Sequence, residues 1–360
     1  MPSYKQLHGG LDYEALAKSG IDINSVKDFS VCVNPYPLPR EVKLAIKKAD
    51  YSRYPDSKAG LLVSEIARHQ DKNINQILAV NGISQGIFLL CQTLSSHYKK
   101  SIIIGPTYSE YEKGSKAAGM EIIRLNSSAK SNFCPDIEKL QKTIIQKPYS
   151  IIWICNPNNP TGTLLNKEST KLIHDACEKS GSILVVDQAY MNFVPQKERF
   201  SFSGNSLICL HSMTKDFSIP GLRLGYLTGS VRIINELKKI QPPWSLNSTA
   251  IAAGKAALEN IQRYERQWEK IRKEKLNLSK RLTDLGYKVF PSSANFILVN
   301  DETHGGINPR HFRKILWKTK ILVRDCDSFG LPGYLRIGVS TRKNNHALLK
   351  ELSRESLWEK

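Results

Sequence analysis

The sequence predicts an α/β protein with two parts: a large domain built on a mostly parallel sheet between helices, and a smaller α+β domain. Two observations carry this prediction. Short apolar runs alternate with amphipathic segments from about residue 77 to residue 212. A long charged segment then replaces them before strand-like runs return. We therefore divide the chain into an N-terminal arm that is part of the small domain (1–35), the large domain (36–245) and the small C-terminal domain (246–360).

The apolar runs of the large domain are short and rich in Ile and Val, which is typical of buried strands. They are ILAV (77–80), SIIIG (101–105), SIIWIC (150–155), SILVVD (182–187) and SLICLHS (206–212). Helical patterns at 84–94 and 165–181 separate them. In the second domain we expect one long helix from Asn247 to about Leu282, followed by strands at 294–299 and 334–340.

The chain is strongly basic, with 52 Lys and Arg residues against 33 Asp and Glu and a formal charge of +19. Such a charge invites a nucleic-acid interpretation. The densest basic stretch, 263–281, is however interleaved with Glu265, Glu269 and Glu274 at helical spacings, and this is typical of a solvated helix face. With no nucleic-acid-binding motif beside it, we predict no nucleic-acid partner, and the charge instead favours anionic small-molecule substrates.

Membrane and secretion signals are missing from the sequence, since it has no apolar run of 18 residues and no signal-peptide pattern in MPSYKQLHGG. The seven cysteines are scattered and form no C-x-x-C pair, which favours reduced thiols over disulfides or a metal site. We therefore expect a cytoplasmic protein without a membrane partner or a bound metal.

Candidate functional residues follow the predicted strands, at the sheet edge where ligands of open α/β sheets bind. Taken singly, each has an ordinary structural explanation: a helix cap, a core tyrosine or a solvated lysine. Several also have a functional interpretation, because a helix start can bind phosphate, a carboxylate can stabilise a protonated ring nitrogen and a strand-end lysine can bond covalently to a carbonyl carbon. They are Gly82, Ile83, Ser84, Tyr108, Asn159, Asp187, Tyr190, Ser212, Lys215 and Arg223.

Three motifs carry a family resemblance. SMTKDFSIPGLRLGY (212–226), NPNNPTG (156–162) and DQAY (187–190) resemble the fold-type-I enzymes that use pyridoxal 5'-phosphate (PLP), the aspartate aminotransferase superfamily. The resemblance extends over nearly the whole chain. It implies that Lys215 carries PLP covalently and that Asp187 keeps the pyridine nitrogen protonated.

The same resemblance assigns the remaining groups. Asn159 and Tyr190 would bond the phenolic oxygen of PLP, and Tyr108 would stack on its ring. Its phosphate would be held by Arg223, Ser212 and the backbone of Gly82, Ile83 and Ser84. Tyr54, in RYPD (53–56), matches a tyrosine that reaches this phosphate from a neighbouring subunit, which implies a homodimer. Arg336 matches the arginine that binds the substrate carboxylate.

Within the superfamily, four stretches resemble the threonine-phosphate decarboxylases of cobalamin synthesis, with the histidinol-phosphate aminotransferases as near relatives. They are His8-Gly9-Gly10, DFSVCVNPYPLP (28–39), SIPGLRLGYL (218–227) and PPWSLNSTA (242–250). This resemblance implies that His8 and Asn34 line the substrate pocket. The charge of Arg324 makes it a candidate for binding a substrate phosphate. Gln188 stands where both groups of relatives usually carry glutamate. Tyr190 matches the transaminases better than the decarboxylases, which often have phenylalanine at this position.

The expected reaction is decarboxylation of L-threonine O-3-phosphate or phosphoserine to an amino-alcohol phosphate, and the alternative is transamination of the histidinol-phosphate type. The two share their cofactor chemistry, so the orientation of the substrate decides between them. A PLP-binding transcriptional regulator would need a winged helix before His8, for which we expect no room. A scaffold that has lost catalysis is disfavoured by the presence of Lys215, Asp187, Asn159 and Arg223.

Overall fold

A computed structural model describes residues 9–200, 204–300 and 317–353, and its centre is a seven-stranded sheet. The strand order is β2-β8-β7-β6-β5-β3-β4. All neighbours pair in parallel except β8, which is antiparallel to both β2 and β7. The strands are β2 (Ile77–Asn81), β3 (Lys100–Gly105), β4 (Glu121–Asn126), β5 (Ser150–Cys155), β6 (Ile183–Asp187), β7 (Leu207–Ser212) and β8 (Leu224–Gly229).

Helices accompany this sheet along the chain. Those of the described residues are α1 (Tyr13–Lys18), α2 (Arg40–Lys48), α3 (Gly60–Gln70), α4 (Gly82–Leu94), α5 (Glu110–Ala117), α6 (Ile137–Gln146), α7 (Lys167–Lys179), α8 (Val231–Ile240), α9 (Ser248–Glu259), α10 (Ile261–Asp284) and α11 (Arg342–Leu352). The core divides between the two faces of the sheet, because alternate residues of each strand point to opposite sides. On β5, Trp153 lies in one apolar cluster and Ile152 in the other.

The five apolar runs predicted as strands are all strands, and the α/β class is confirmed. Burial on both faces explains their continuous hydrophobicity: all six residues of β5 are buried. Two strands of the large sheet, β4 and β8, were not predicted. At the sheet edge, β4 carries Glu121 and Arg124 among its apolar residues. Within β8, two glycines break the apolar run, and Gly225 lies so close to β7 that an added Cβ would approach His211 O to 2.9 Å.

A smaller antiparallel sheet has the order β12-β13-β10-β9. Its strands are β9 (Lys288–Val289), β10 (Phe296–Asn300), β12 (Arg324–Asp325) and β13 (Tyr334–Gly338). The N-terminal arm joins this region, because β1 (Lys27–Asp28) pairs in parallel with β11 (Ile321–Leu322) and Gly338 N–H donates to Phe29 O at 2.8 Å. The arm therefore passes from the small sheet toward the large one.

The single helix expected from Asn247 to Leu282 is wrong: α9 and α10 are separate helices that meet at Asn260. The backbone of Asn260 leaves the helical region. The side-chain amide of Asn260 donates to Ala256 O at 2.8 Å, which closes the last turn of α9. The charged face of α10 has the expected ion pairs, including Arg272 with Glu269 at 2.6 Å. Its opposite face buries Trp268, among other apolar residues.

No helix among the described residues is long and apolar enough to cross a membrane. All seven cysteines are free thiols, and five of them are buried.

Candidate active site

A cavity of about 220 Å³ opens at the carboxyl edge of the large sheet, against the small sheet and the N-terminal arm. Parallel strands bring their carboxyl ends to one edge, and the antiparallel β8 brings its amino end to the same edge. Most of the residues predicted for the site line this cavity: Ile83, Ser84, Tyr108, Asn159, Asp187, Tyr190, Ser212, Lys215, Arg223, Arg324 and Arg336.

Charge in the cavity is mostly positive. In the described part of the chain, the lining cations are Lys215, Arg223, Arg324 and Arg336, and Asp187 supplies the one lining carboxylate. The walls are protein of low polarizability, so these charges act on a bound ligand more strongly than they would in water. The cavity therefore suits a ligand that carries several negative charges.

Asp187 ends β6 and is only 2% exposed. Its Oδ2 accepts a hydrogen bond from the Tyr111 hydroxyl at 2.6 Å, and its Oδ1 accepts one from Ala189 N–H at 2.9 Å. Burial raises the pKa of this carboxyl, while the nearby Lys215 and the hydrogen bond from Tyr111 oppose that rise. Each carboxylate oxygen keeps capacity for a further donor.

Lys215 lies three residues beyond the end of β7, and its Nζ is 5.3 Å from the centre of the Tyr190 ring. Burial lowers the pKa of this amine, against the attraction of Asp187. A lower pKa leaves more of the amine unprotonated at neutral pH, and only the unprotonated form is a nucleophile. The side chain is therefore suited to covalent attachment of a carbonyl compound.

Arg223 approaches the start of α4, and the two form a cradle suited to an anion. Gly82 has φ +71°, and a Cβ built there would lie 2.8 Å from Nη2 of Arg223, so only glycine lets the guanidinium approach the helix start. Asn81 makes no side-chain cap to α4. The first N–H groups of α4 and the guanidinium together form an anion site. Ser212 lies beside it, with its Oγ 2.7 Å from Thr214 Oγ1.

Arg336 connects the small sheet to the cavity. Its Nη1 donates to Asn159 Oδ1 and its Nη2 donates to Ser30 O at 2.7 Å. Its buried Nε has no hydrogen-bond partner among the described residues. A buried donor without a partner costs free energy that an incoming acceptor would recover. Arg336 binds only the amide oxygen of Asn159, so the amide nitrogen Nδ2 can donate to a ligand.

Arg324 lines the same cavity from β12 and is 3% exposed. Its Nη2 donates to Ser328 Oγ at 2.7 Å, and its guanidinium lies over the Phe329 ring at 5.7 Å. The cavity thus presents two buried arginines from neighbouring strands of the small sheet, since Arg324 and Arg336 are register partners.

Two predicted residues lie away from the cavity. Tyr54 is 81% exposed and packs on Trp244, with 4.6 Å between the ring centres. Asn34 is buried, but its side chain does not contribute to the cavity lining: Nδ2 donates to Asp216 O at 3.0 Å and to Gln267 Oε1 at 2.7 Å, and Oδ1 accepts from Tyr36 N–H at 3.0 Å. His8 lies outside the described residues.

Asn34 also holds the lysine loop through its backbone, since Asn34 N–H donates to Lys215 O at 2.7 Å. These contacts give it a positioning role, and its substrate contact stays a prediction. We expect Asn34→Ala to lower the free energy of unfolding by about 1–3 kcal/mol, because buried partners lose their donor. Chemical denaturation measures this, with Asn24→Ala, an exposed amide bonded to Asp22, as the control. Unchanged stability with a raised KM would instead support substrate binding.

Some lining residues were missed in the sequence. Tyr111 and Thr214 each lie within three residues of a predicted site residue, so their positions alone could have drawn attention to them. The arm residues Ser30, Val31 and Cys32 also line the cavity. These arm residues are far in sequence from the predicted strand ends, so no pattern in the sequence indicated that they belong to the site.

The groups present fit PLP. An amine, a buried carboxylate, an aromatic side chain and an amide donor surround one cavity, and the close approach of Gly82 and Arg223 leaves an anion cradle at a helix start. The residues that would hold the cofactor are therefore available in one place.

Comparisons with known proteins agree with this arrangement. The family model for class I and II aminotransferases matches residues 25–352. A threonine-phosphate decarboxylase from Salmonella typhimurium is 31% identical over 364 residues, covering 98% of this chain and 97% of the relative. A histidinol-phosphate aminotransferase from Clostridium kluyveri is 28% identical over 86% of each chain.

A solved structure shows the same fold. The histidinol-phosphate aminotransferase from Clostridium acetobutylicum superposes with a TM-score of 0.80 and 28% identity, over 90% of this chain and 97% of that one. Relatives with a decarboxylase name and with an aminotransferase name therefore have similar levels of identity to this chain.

Proposed function

This chain belongs to the class I and II aminotransferase family, and from that premise we propose that it decarboxylates an O-phosphorylated hydroxy amino acid. Its cofactor is PLP, as in that family. The proposed substrate is L-threonine O-3-phosphate or phosphoserine, and the product is an amino-alcohol phosphate of the kind used in cobalamin synthesis. The proposed alternative is transamination of the histidinol-phosphate type.

The observation that carries the proposal is the pair of buried arginines in one cavity. A phospho-amino acid has two anionic groups, a carboxylate and a phosphate, and each can accept a fork of hydrogen bonds from a guanidinium. We assign the carboxylate to Arg336, whose Nε still lacks a partner among the described residues, and the phosphate to Arg324. Histidinol phosphate has no carboxylate, so it would offer no anionic group to Arg336.

When bound, PLP supplies an electron sink for the negative charge left at Cα after a bond to Cα breaks. Asp187 would hold the proton on the ring nitrogen through its carboxylate. Lys215 would carry the cofactor and, once released by the substrate, would deliver a proton from Nζ to Cα in place of the departed carboxylate. Arg336 would fix the direction of the Cα–carboxylate bond, and that direction decides which bond breaks.

Transamination is favoured by a different observation. Asn159 and Ser30 hold the Arg336 guanidinium from two sides, which gives a bound carboxylate little freedom to rotate. Histidinol phosphate has no carboxylate, but the glutamate formed from 2-oxoglutarate in the same reaction has one. If Arg336 held that carboxylate in the ring plane, the Cα–H bond would be the one that breaks. The reaction must therefore be assigned by its products.

The test incubates purified enzyme with phosphothreonine, phosphoserine or histidinol phosphate, each with and without 2-oxoglutarate. Decarboxylation should release carbon dioxide from a phospho-amino acid without any requirement for 2-oxoglutarate. Threonine and serine without phosphate serve as matched controls, and kcat/KM should fall by at least about a hundredfold because the cationic groups lose their partner. Glutamate formed from histidinol phosphate, with no carbon dioxide from either phospho-amino acid, would contradict the proposal.

We also propose a homodimer in which Tyr54 reaches the cofactor phosphate of the partner subunit. Tyr54 and Trp244 form an exposed aromatic pair, and in its own chain Tyr54 does not line the cavity. We expect Tyr54→Phe to weaken PLP binding by about 1–3 kcal/mol, the value of a hydrogen bond to a charged group. Equilibrium titration of the apoenzyme with PLP measures it.

The control for this prediction is Tyr51→Phe, since Tyr51 is 90% exposed and lies three residues earlier. It should bind PLP as the unmodified protein does. A protein that stays monomeric at concentrations where it is fully loaded with PLP would contradict the shared site.

A further inference from the structure

Tyr111 is a fully buried tyrosine in the first turn of α5, and its hydroxyl donates to Asp187 Oδ2 at 2.6 Å. We propose that Tyr111 is a positioning residue for the cofactor reaction. Its hydrogen bond keeps Asp187 ionised and oriented, so that this carboxylate can hold a proton on the ring nitrogen of PLP. The proposal depends on the cofactor and not on whether decarboxylation or transamination follows.

Burial is the reason that Asp187 needs such a donor. An ionised carboxylate removed from water is costly unless hydrogen bonds and opposite charge stabilise it. Asp187 receives one N–H from Ala189 and one O–H from Tyr111, and Lys215 is the nearby cation. If the carboxylate took up a proton, it would no longer attract a protonated ring nitrogen. Each donor therefore contributes to the charge on which the site depends.

The Tyr111 hydroxyl is held in a single direction. The ring stacks on Trp153, with 5.1 Å between centres and 11° between planes. Its other neighbour is Tyr108, which meets it edge-on at 5.7 Å and 82°. Burial raises the pKa of Tyr111 far above its usual value, so the hydroxyl stays protonated and acts as the donor to an acceptor-only carboxylate. Tyr111 thus links the ring-stacking candidate Tyr108 to the charge of Asp187.

The pH dependence has a definite sign. Removing the hydrogen bond that Tyr111 donates to the ionised carboxylate raises the pKa of Asp187. The carboxylate then takes up a proton at a higher pH. As the pH is lowered, activity that requires ionised Asp187 is therefore lost at a higher pH in the variant than in the unmodified enzyme. The titratable groups that face Asp187 from neighbouring elements are Lys215, Tyr108, Tyr111, Cys155 and Tyr190.

The test compares Tyr111→Phe holoenzyme with Tyr264→Phe. Tyr264 is a matched control, because it is also fully buried and its hydroxyl has no partner among the described residues. For Tyr111→Phe we expect PLP affinity to fall about tenfold and the acid limb of the cofactor absorbance titration to move up by about one pH unit. We expect kcat to fall about tenfold with little change in KM. The control should match the unmodified enzyme.

A double-mutant cycle separates this role from simple packing. In an Asp187→Asn background, Tyr111→Phe should have almost no further effect on the absorbance titration or on PLP affinity, because no carboxylate remains to be stabilised. An undiminished effect in that background would overturn the proposal. So would a Tyr111→Phe enzyme with unchanged affinity, titration and kcat.

One measurement leaves Tyr111 unaltered, and it applies even if Tyr111→Phe does not fold. In protein labelled with carbon-13 at tyrosine Cζ, Asp187→Asn should shift the Tyr111 signal, since a neutral amide replaces a charged acceptor. The Tyr264 signal should stay in place. An unmoved Tyr111 signal would show that the two groups are not coupled.

Discussion

Replacing Lys215 by alanine should abolish turnover, with kcat reduced by at least about a thousandfold. The reason is that one amine both attaches the cofactor and moves the proton, and positioned acid–base groups alone contribute factors of about a hundred to ten thousand. Steady-state kinetics with excess PLP measures the loss. The control is Lys130→Ala, an exposed lysine in a short helical turn, which should keep normal activity.

The attachment itself can be located directly. Borohydride reduction of the unmodified holoenzyme, followed by peptide mass analysis, should place the cofactor on Lys215. The visible absorbance of the bound cofactor should disappear in Lys215→Ala. Recovery of the label on another lysine would remove Lys215 from its assigned role.

Asp187→Asn should keep cofactor binding but lower kcat by at least about a hundredfold. An amide has similar shape and can still hydrogen bond, yet it cannot stabilise a protonated ring nitrogen by charge. Two measurements separate the effects: equilibrium binding of PLP, which should weaken only about tenfold, and kcat, which should fall by at least about a hundredfold. Asp175→Asn is the matched control, because Asp175 forms a surface ion pair with Lys171 at 2.6 Å. Near-normal turnover in Asp187→Asn would show that the Asp187 carboxylate has only a structural role.

Much of the fold was predictable because its strands are buried on both faces. Continuous apolar runs mark such strands without any knowledge of their partners, and each predicted run is a strand. The exceptions have local causes. In β4, the residues Glu121 and Arg124 reach solvent at a sheet edge, and in β8 the glycine at position 225 permits a close contact with β7 that forms only after folding. The break at Asn260 depends on one side-chain hydrogen bond that helical periodicity does not reveal.

The site was predictable where residues follow strand ends. Asp187 ends β6, and Lys215 lies three residues beyond the end of the parallel neighbour β7, so the topology brings them to the same edge of the sheet. Arg336 came from the family resemblance, because it lies on the other sheet and reaches the cavity only through domain packing. The arm residues around Ser30 were missed for the same reason, because their neighbours are far away in sequence and no local pattern encodes them. Tyr111 was missed although it lies only three residues after Tyr108.

The N-terminal arm has a consequence for how the protein is made. Ser30 O accepts from Arg336, 306 residues later, and Asn34 binds the residue next to Lys215. Both contacts join segments that are separated by half of the chain or more, so neither can form before its later segment has been made. A chain emerging during synthesis has its lysine and carboxylate long before Arg336 arrives. The cavity with both Lys215 and Arg336 in its lining can therefore exist only after residue 336 has been made.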